Sequence, residues 1–341
     1  MIFRLPIIAV TFCCLSLNTQ NLFSAEFKNT NNTAKTDSHW HSQNWKIMGT
    51  SVSVELWHKD AALAKKAIAK VHAEMQRIDQ AMSPYIKSSE VSKINRLAAK
   101  QRVKISHELF SLIQQAQDIS KQSQGIFDIT FASVGSLYNY RKRHRPSPSI
   151  IENKLKFINY KHIKLFADSS EIFFTQSGVR IDLGGIAKGH AVDNCIKVLK
   201  QLGVQHALVS AGGDSRLLGD KRGKPWVTGI RHPRDKNNYV AILPLDNTAI
   251  STSGDYERFF IEDNIRYHHI IQPSTGKSAD KNQSVTVLGP SATRTDALST
   301  TLFILKTNDA LKLINSLPNY EAIIIDKMGV LHYSSGLQSP D

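Results

Sequence analysis

The sequence predicts an α+β fold, and three observations carry that expectation. From residue 160 onward, short apolar or alternating runs separated by turn residues follow one another with only a few helical interruptions. Earlier in the chain, two longer stretches carry their apolar residues at helical spacing. The composition, 41% hydrophobic and 21% charged over 341 residues, is that of a globular protein large enough to bury a sizeable core. It excludes collagen-like, low-complexity and wholly disordered chains, and a mean hydropathy of -0.26 argues against a multi-spanning membrane protein.

Taken in order, residues 1–25 read as an export signal. Arg4 supplies a positive charge, and Leu5 to Leu17 is an apolar run shorter than the roughly 20 residues of a spanning helix. Ser24 and Ala25 suit a signal peptidase, so the mature chain is expected to be exported and periplasmic. Lipid anchoring has little support, since Phe12 precedes Cys13 and Cys13 precedes Cys14 where a small residue is needed. Cleavage leaves Cys195 alone, which excludes a disulfide scaffold. Residues 26–44 read as a polar tether and 45–341 as the folded domain.

Ile47 to Trp57 alternates as a half-buried strand does, and residues 60–81 and 106–124 are amphipathic helices, the second with Ser106 as N-cap and Gly125 as its stop. The strand runs HIKLF, EIFF, VRID, HALVS, WVTGI, YVAIL, AISTS, YHHII and SVTVL follow, interrupted by helices near 186–202, 294–305 and 308–316, and closed by YEAIIID and GVLHY. No short repeat is present, so any duplication is at the scale of half the chain.

The excess of 43 Lys+Arg over 29 Asp+Glu gives a net charge of +14, which favours anionic partners. Nucleic acid is not expected: the one tight basic cluster, RKRHR at 141–145, sits in a Pro/Ser loop without interleaved aromatics and reads as solvated. Small phosphorylated ligands and an anionic membrane surface are both compatible with the charge. Two motifs mislead. Gly276-Lys277-Ser278 imitates the end of a P-loop, but position 271 is Ile where that motif needs Gly, and Gly184, Gly185 and Gly189 are spaced GGxxxG, not GxGxxG.

Three segments carry the chemistry. In IDLGGIAKGHAVD (181–193) a strand ending in Asp182 meets two glycines and a helix start, which offers amides, a dipole and Lys188 to an anion; an ordinary glycine turn capped by Asp182 is the bland alternative. Residues 252–276 hold Ser253, Gly254, Asp255, Arg258 and His269, the last either a proton acceptor for a hydroxyl nucleophile or a buried, satisfied histidine. In PSATRTDALSTTLFIL (290–305) Thr295 is a candidate cap with Asp296 in the first turn. Asp296 and Thr300, four apart, share a helical face on which they can hold Mg²⁺, unless Asp296 is a plain capping acid.

In this order the segments resemble the ApbE-type FAD:protein FMN transferases. MSPYIKSSEVSKIN (82–95), GIFDIT (125–130) and VSAGGD (209–214) resemble further motifs of that family. The resemblance implies a two-lobed α+β protein related to duplicated T-folds, with FAD bound between lobes and Mg²⁺-dependent transfer of FMN to a Thr or Ser of a client flavoprotein, AMP leaving. Carried over by residue, it implies FAD contacts at Met48, Tyr85, Ile126, Phe127, Asp128, Asp182, Lys188, Ser253, Gly254 and Ile271. It also implies a metal held by the side chains of Asp296 and Thr300 and by backbone oxygens near Gly185 and Ser299. Lys188 and His269 are the candidate catalytic groups. Gln272 and Ser210 depart from the family pattern, which has Asp and Asn there. An FAD-binding protein without transferase activity and an FAD pyrophosphatase are the alternatives that the same residues leave open.

Overall fold

A computed structural model describes residues 39–338, so the expected signal and most of the tether lie outside the described residues. Structure begins with a hairpin of β1 (Trp40–Ile47) and β2 (Thr50–Trp57), paired from Trp40↔Trp57 to Ile47↔Thr50. This corrects two expectations: the strand starts inside the supposed tether, and Ile47–Trp57 is not one strand. The chain reverses at Met48-Gly49, whose φ angles of 55° and 68° form the turn, while Trp45 packs on the core and stacks on His72.

Helix α1 (Ala61–Met82) is capped by Asp60, which accepts from the amides of Ala62 and Leu63, and buries Ala64, Ala67, Ile68, Val71, Met75, Ile78 and Met82 along one stripe. Next come α2 (Glu90–Leu97), β3 (Val103–Lys104) and α3 (His107–Gln122), the last capped by Ser106 as expected. The short helices α4 (Ala132–Gly135) and α5 (Pro148–Leu155) precede β4 (Ile163–Phe166) and β5 (Glu171–Phe174), which form a small sheet of order β3-β5-β4. VRID, expected to be a strand, is extended chain without a strand partner. Its backbone groups are satisfied otherwise: Asn95 accepts from the Ile181 amide and donates to its carbonyl, the Arg180 amide reaches Ser133 and the Asp182 amide reaches Ile129.

Helix α6 (Ala187–Gln201) packs Ala191, Val192, Cys195, Ile196 and Leu199 into the core shared with α1. It leads into β6 (Ala207–Ala211), β7 (Asp214–Leu218) and the hairpin β8 (Trp226–Arg231)–β9 (Tyr239–Leu245). After β10 (Ala249–Gly254) come two small hairpins, β11 (Phe259–Glu262)–β12 (Ile265–His268) and β13 (Ile271–Gln272)–β14 (Lys277–Ser278). The run YHHII is therefore broken at His269-Ile270. Strand β15 (Asn282–Gly289), α7 (Ala292–Ile304), α8 (Thr307–Asn315), β16 (Glu321–Asp326) and β17 (Leu331–Tyr333) complete the chain.

Eight strands form one antiparallel sheet of order β1-β2-β6-β7-β10-β15-β16-β17. Each four-strand half repeats one plan, two strands, two packed helices, two strands: β1-β2 with α1 and α6 and then β6-β7, and β10-β15 with α7 and α8 and then β16-β17. The halves join where β7 meets β10, Asp214 opposite Ser251. Helix α7 lies against both β10 and α6 and is buried nearly all round, which is why its sequence shows little amphipathic contrast. Among the described residues no helix is long and apolar enough to cross a membrane.

Candidate active site

Two loops and two helix starts meet beside the join. The Asp182 carboxylate accepts from the Gly184 amide at 2.6 Å, closing the glycine turn, and α6 then starts without a side-chain cap. Burial raises the Asp182 carboxyl, against the pull of Arg258 and Lys188. Gly189 is required by a close approach: a Cβ there would lie 2.0 Å from the Ala292 carbonyl oxygen and 2.9 Å from Asp296 Cβ. Its absence lets α6 and α7 touch, and the Gly189 amide donates to Asp296 at 3.0 Å.

Between α6, α7 and the start of β7 sits a charged cluster. Lys188 Nζ lies 2.9 Å from Asp214 Oδ2, 3.2 and 3.3 Å from the Asp296 oxygens, and 3.0 Å from the Gly184 carbonyl. Burial alone would lower the Lys188 ammonium, but Asp214 and Asp296 outweigh it and hold its pKa well above the usual lysine value. Asp296 is pushed up to about 7, by burial first and then by Asp214. Two buried carboxylates thus share one ammonium, leaving a site that accepts further positive charge. Sequence reasoning missed Asp214, although it closes VSAGGD and alternates to the buried face of β7.

The expectation that Thr295 caps α7 and that Asp296 lies in its first turn is corrected. The N-cap is Ser291, which accepts from Arg294, while Thr295 bonds to the Ala292 carbonyl and to Ser251. Asp296 stands in the second turn, so it is not a capping acid. One turn further, Thr300 faces the glycine turn: a Cβ on Gly185 would be 3.4 Å from Thr300 Oγ1 and 3.3 Å from the Phe127 ring. Ser253 lies 2.8 Å from Ser299 Oγ and 3.3 Å from Thr300 Oγ1, and Ser299 donates to the Asp296 carbonyl. Asp296, Ser299, Thr300, Ser253 and Gly185 are therefore brought together, and Gly254 ends the strand carrying Ser253.

The other wall is built on the β1–β2 turn. Arg258 donates to the Gly49 carbonyl at 3.1 Å, and its charge bears on Asp182, Tyr85 and His269. Arg258 lay in a segment singled out from the sequence but received no role there. Tyr85 is 84% exposed at this mouth. The loop carrying it is braced by its own motif: Ser89 donates to the Ser83 carbonyl, Glu90 accepts from Ser106, and Asn95 ties down Ile181. The two adjacent histidines divide the alternatives drawn from the sequence. His268 is buried and satisfied at 2.7 Å from the Ala279 carbonyl, whereas His269 Nδ1 is buried without a partner. Burial, with His268, Arg258 and Lys188 adding to it, pushes the His269 imidazole down to about 3 and keeps it neutral.

The remaining residues are placed less directly. Both Asp128 oxygens are committed, one to the Thr130 amide and hydroxyl and the other to the Tyr160 amide, so its carboxylate organises the GIFDIT turn. Phe127 and Ile271 are buried, and Ile126 packs on the apolar cluster of β15 and α7 that includes Val285, Leu298 and Leu302. Asp255 is held at 2.6 Å by both arms of Arg234 and belongs to a structural ion pair. Gln272 donates to Ser274 and closes the QPSTG turn with its carbonyl, so the departure from Asp there leaves a formed turn. Lys277 lies in strand β14 and not at a helix start, and the 141–145 loop clasps the β11–β12 hairpin through Arg145–Glu262.

Comparison with known proteins agrees with this architecture. The family model described as the ApbE family matches residues 48–324. The chain belongs to the ApbE family. A relative from Haemophilus influenzae named FAD:protein FMN transferase is 30% identical over 308 residues, covering 86% of this chain and 89% of the relative. One of the same name from Treponema pallidum is 29% identical, covering 82% of each. The crystal structure of the ApbE protein of Thermotoga maritima superposes with a TM-score of 0.81 at 33% identity, covering 87% of this chain and 97% of that one.

Proposed function

We propose that this enzyme of the ApbE family transfers FMN from FAD to a Thr or Ser hydroxyl of a client protein, with Mg²⁺ as its metal, releasing AMP. The observation that carries the reading is the Lys188–Asp214–Asp296 cluster beside the Gly184-Gly185 turn, in a chain whose relatives bear that name. The donor set suits a hard cation. Among the described residues no three His, Cys, Asp or Glu side chains gather into a metal cluster, so an ion here would take hydroxyl, carbonyl and substrate oxygens besides Asp296. Asp296 and Thr300 would hold it, with backbone oxygens near Gly185 and Ser299, and the net negative charge of two carboxylates on one ammonium favours its entry. When bound, Mg²⁺ supplies Lewis-acid neutralisation of the pyrophosphate.

The chain's own residues account for the rest. The glycine turn admits the pyrophosphate to the start of α6, and Lys188 adds a permanent charge beside it. The β1–β2 turn, Tyr85 and Phe127 form the walls for the flavin. The client oxygen forms a bond to the flavin-side phosphorus while the bond to the AMP oxygen breaks. The proton of the client hydroxyl passes to His269 Nδ1, whose basicity, held down chiefly by burial, rises beside anionic phosphate. The mature protein is exported to the periplasm, its N-terminus near Glu26, and N-terminal sequencing of exported protein tests that placement; an acylated Cys13 or Cys14 would refute it. The transfer reading is tested by substituting Asp296 and following FMN attachment, as developed below.

A further inference from the structure

The residue that satisfies the first amides of α7 is on a different helix. Asp193, on α6, turns its carboxylate to the start of α7. Its Oδ2 accepts from Ser291 Oγ at 2.8 Å, the Thr293 amide at 2.9 Å and Thr293 Oγ1 at 2.8 Å, and its Oδ1 accepts from the Ala292 amide at 3.0 Å. The first amides of a helix have no partner within it. Here the amides of Ala292 and Thr293 are satisfied by Asp193, and only that of Arg294 by α7's own cap, at a long 3.4 Å. Arg216 Nε lies 3.8 Å from the same carboxylate and holds it from β7.

The arrangement is a clamp with two jaws on one helix. Lys188 and Gly189 grip Asp296 in the second turn of α7, and Asp193, slightly more than one turn further along α6, grips its first residues. Gly189 also brings the α6 backbone into contact with the Ala292 carbonyl of α7. Rotation or sliding of α7 about its axis would carry Asp296 and Thr300 away from the Gly185 turn together. We infer that Asp193 is a positioning residue, fixing the register of α7 against α6 so that Asp296 and Thr300 present one metal-binding face. The partners of Asp193 are Ser291, Ala292, Thr293 and Arg216 and not the Lys188–Asp214–Asp296 cluster, and the inference rests on the metal reading given above.

The test is Mn²⁺ titration of the FAD-loaded protein followed by electron paramagnetic resonance, with hydrogen exchange at residues 292–294 and melting temperature measured on the same samples. Asp193→Ala should weaken Mn²⁺ binding about tenfold or more, the scale on which supporting groups around a metal site act, and should deprotect the amides of 292 and 293. Asp193→Asn, which keeps one acceptor oxygen, should fall between the two. Asp60→Ala, which removes the cap of α1, should lower the melting temperature without moving the Mn²⁺ affinity. If Asp193→Ala loses amide protection or melting temperature yet binds Mn²⁺ within twofold of wild type, Asp193 is a cap only and the inference is wrong. Wild-type protein that binds no Mn²⁺ would instead bring down the metal reading itself, and the inference with it.

Discussion

At the scale of single residues, the decisive feature is a buried charge imbalance. Asp296 is held by Lys188 and by the Gly189 amide, while Asp214 remains bound to the same ammonium. Asp296→Ala therefore leaves Lys188 paired, and the main structural loss is one unsatisfied amide, costing about 1–3 kcal/mol. FMN transfer should fall on the order of 10²-fold or more, the scale of losing one strong transition-state electrostatic contact. A variant with transfer near wild type would show that Asp296 serves the fold alone. His269 gives a prediction in pH. Its folded value of about 3 lies below the ordinary histidine value, so the unfolded chain binds a proton that the folded one refuses between about pH 6.5 and 3. Stability carried by this group is present above that window and is lost as pH falls through it. His269→Asn should flatten the acid limb of melting temperature against pH; an unchanged limb would mean that the imidazole is not the buried neutral group described.

At the scale of elements, the crossing of α6 and α7 sets the site. Gly189→Ala places a methyl group 2.0 Å from the Ala292 carbonyl oxygen, so the helices must part. The expected cost is about 1–3 kcal/mol in denaturant unfolding, as for an overpacked core, together with loss of transfer. A variant as stable and active as wild type would show that the helices do not depend on this contact. Most elements were legible in the sequence because they bury a single face: α1 and α3 carry clear stripes, and EIFF occupies the residues expected. The start of α7 was not, since its cap is supplied partly by Asp193 from nearly a hundred residues away, and local reasoning chose Thr295 instead. VRID was misread for a related reason, because the groups that satisfy its backbone are the side chains of Asn95 and Ser133. The pairing of Lys188 with Asp214 likewise depends on β7 lying beside α6, which no local spacing records.

At the scale of the molecule, two copies of one strand-helix-strand plan share a sheet, and the candidate site draws on both. Asp182, Lys188 and Asp214 come from the first copy, Ser253, Asp296 and Thr300 from the second. A ligand bound by both should stabilise them jointly. FAD at a hundred times its dissociation constant should add about 2.7 kcal/mol to the unfolding free energy and shift a single melting transition upward, as followed by scanning calorimetry. A shift confined to one of two separated transitions would contradict a shared site. The +14 charge contributes to attraction for an anionic ligand over the whole surface, so the affinity for FAD should weaken as salt is raised.

Transfer of FMN onto a protein by these residues is read out by mass spectrometry. The mature chain is incubated with FAD, Mg²⁺ and a panel of peptides each containing one Thr or Ser, and peptide mass and released nucleotide are measured together. An FMN adduct on a hydroxyl residue with one AMP released per adduct is expected, both falling on the order of 10²-fold or more with Asp296→Ala. FMN and AMP released without any adduct, or FAD bound and left intact, would contradict it.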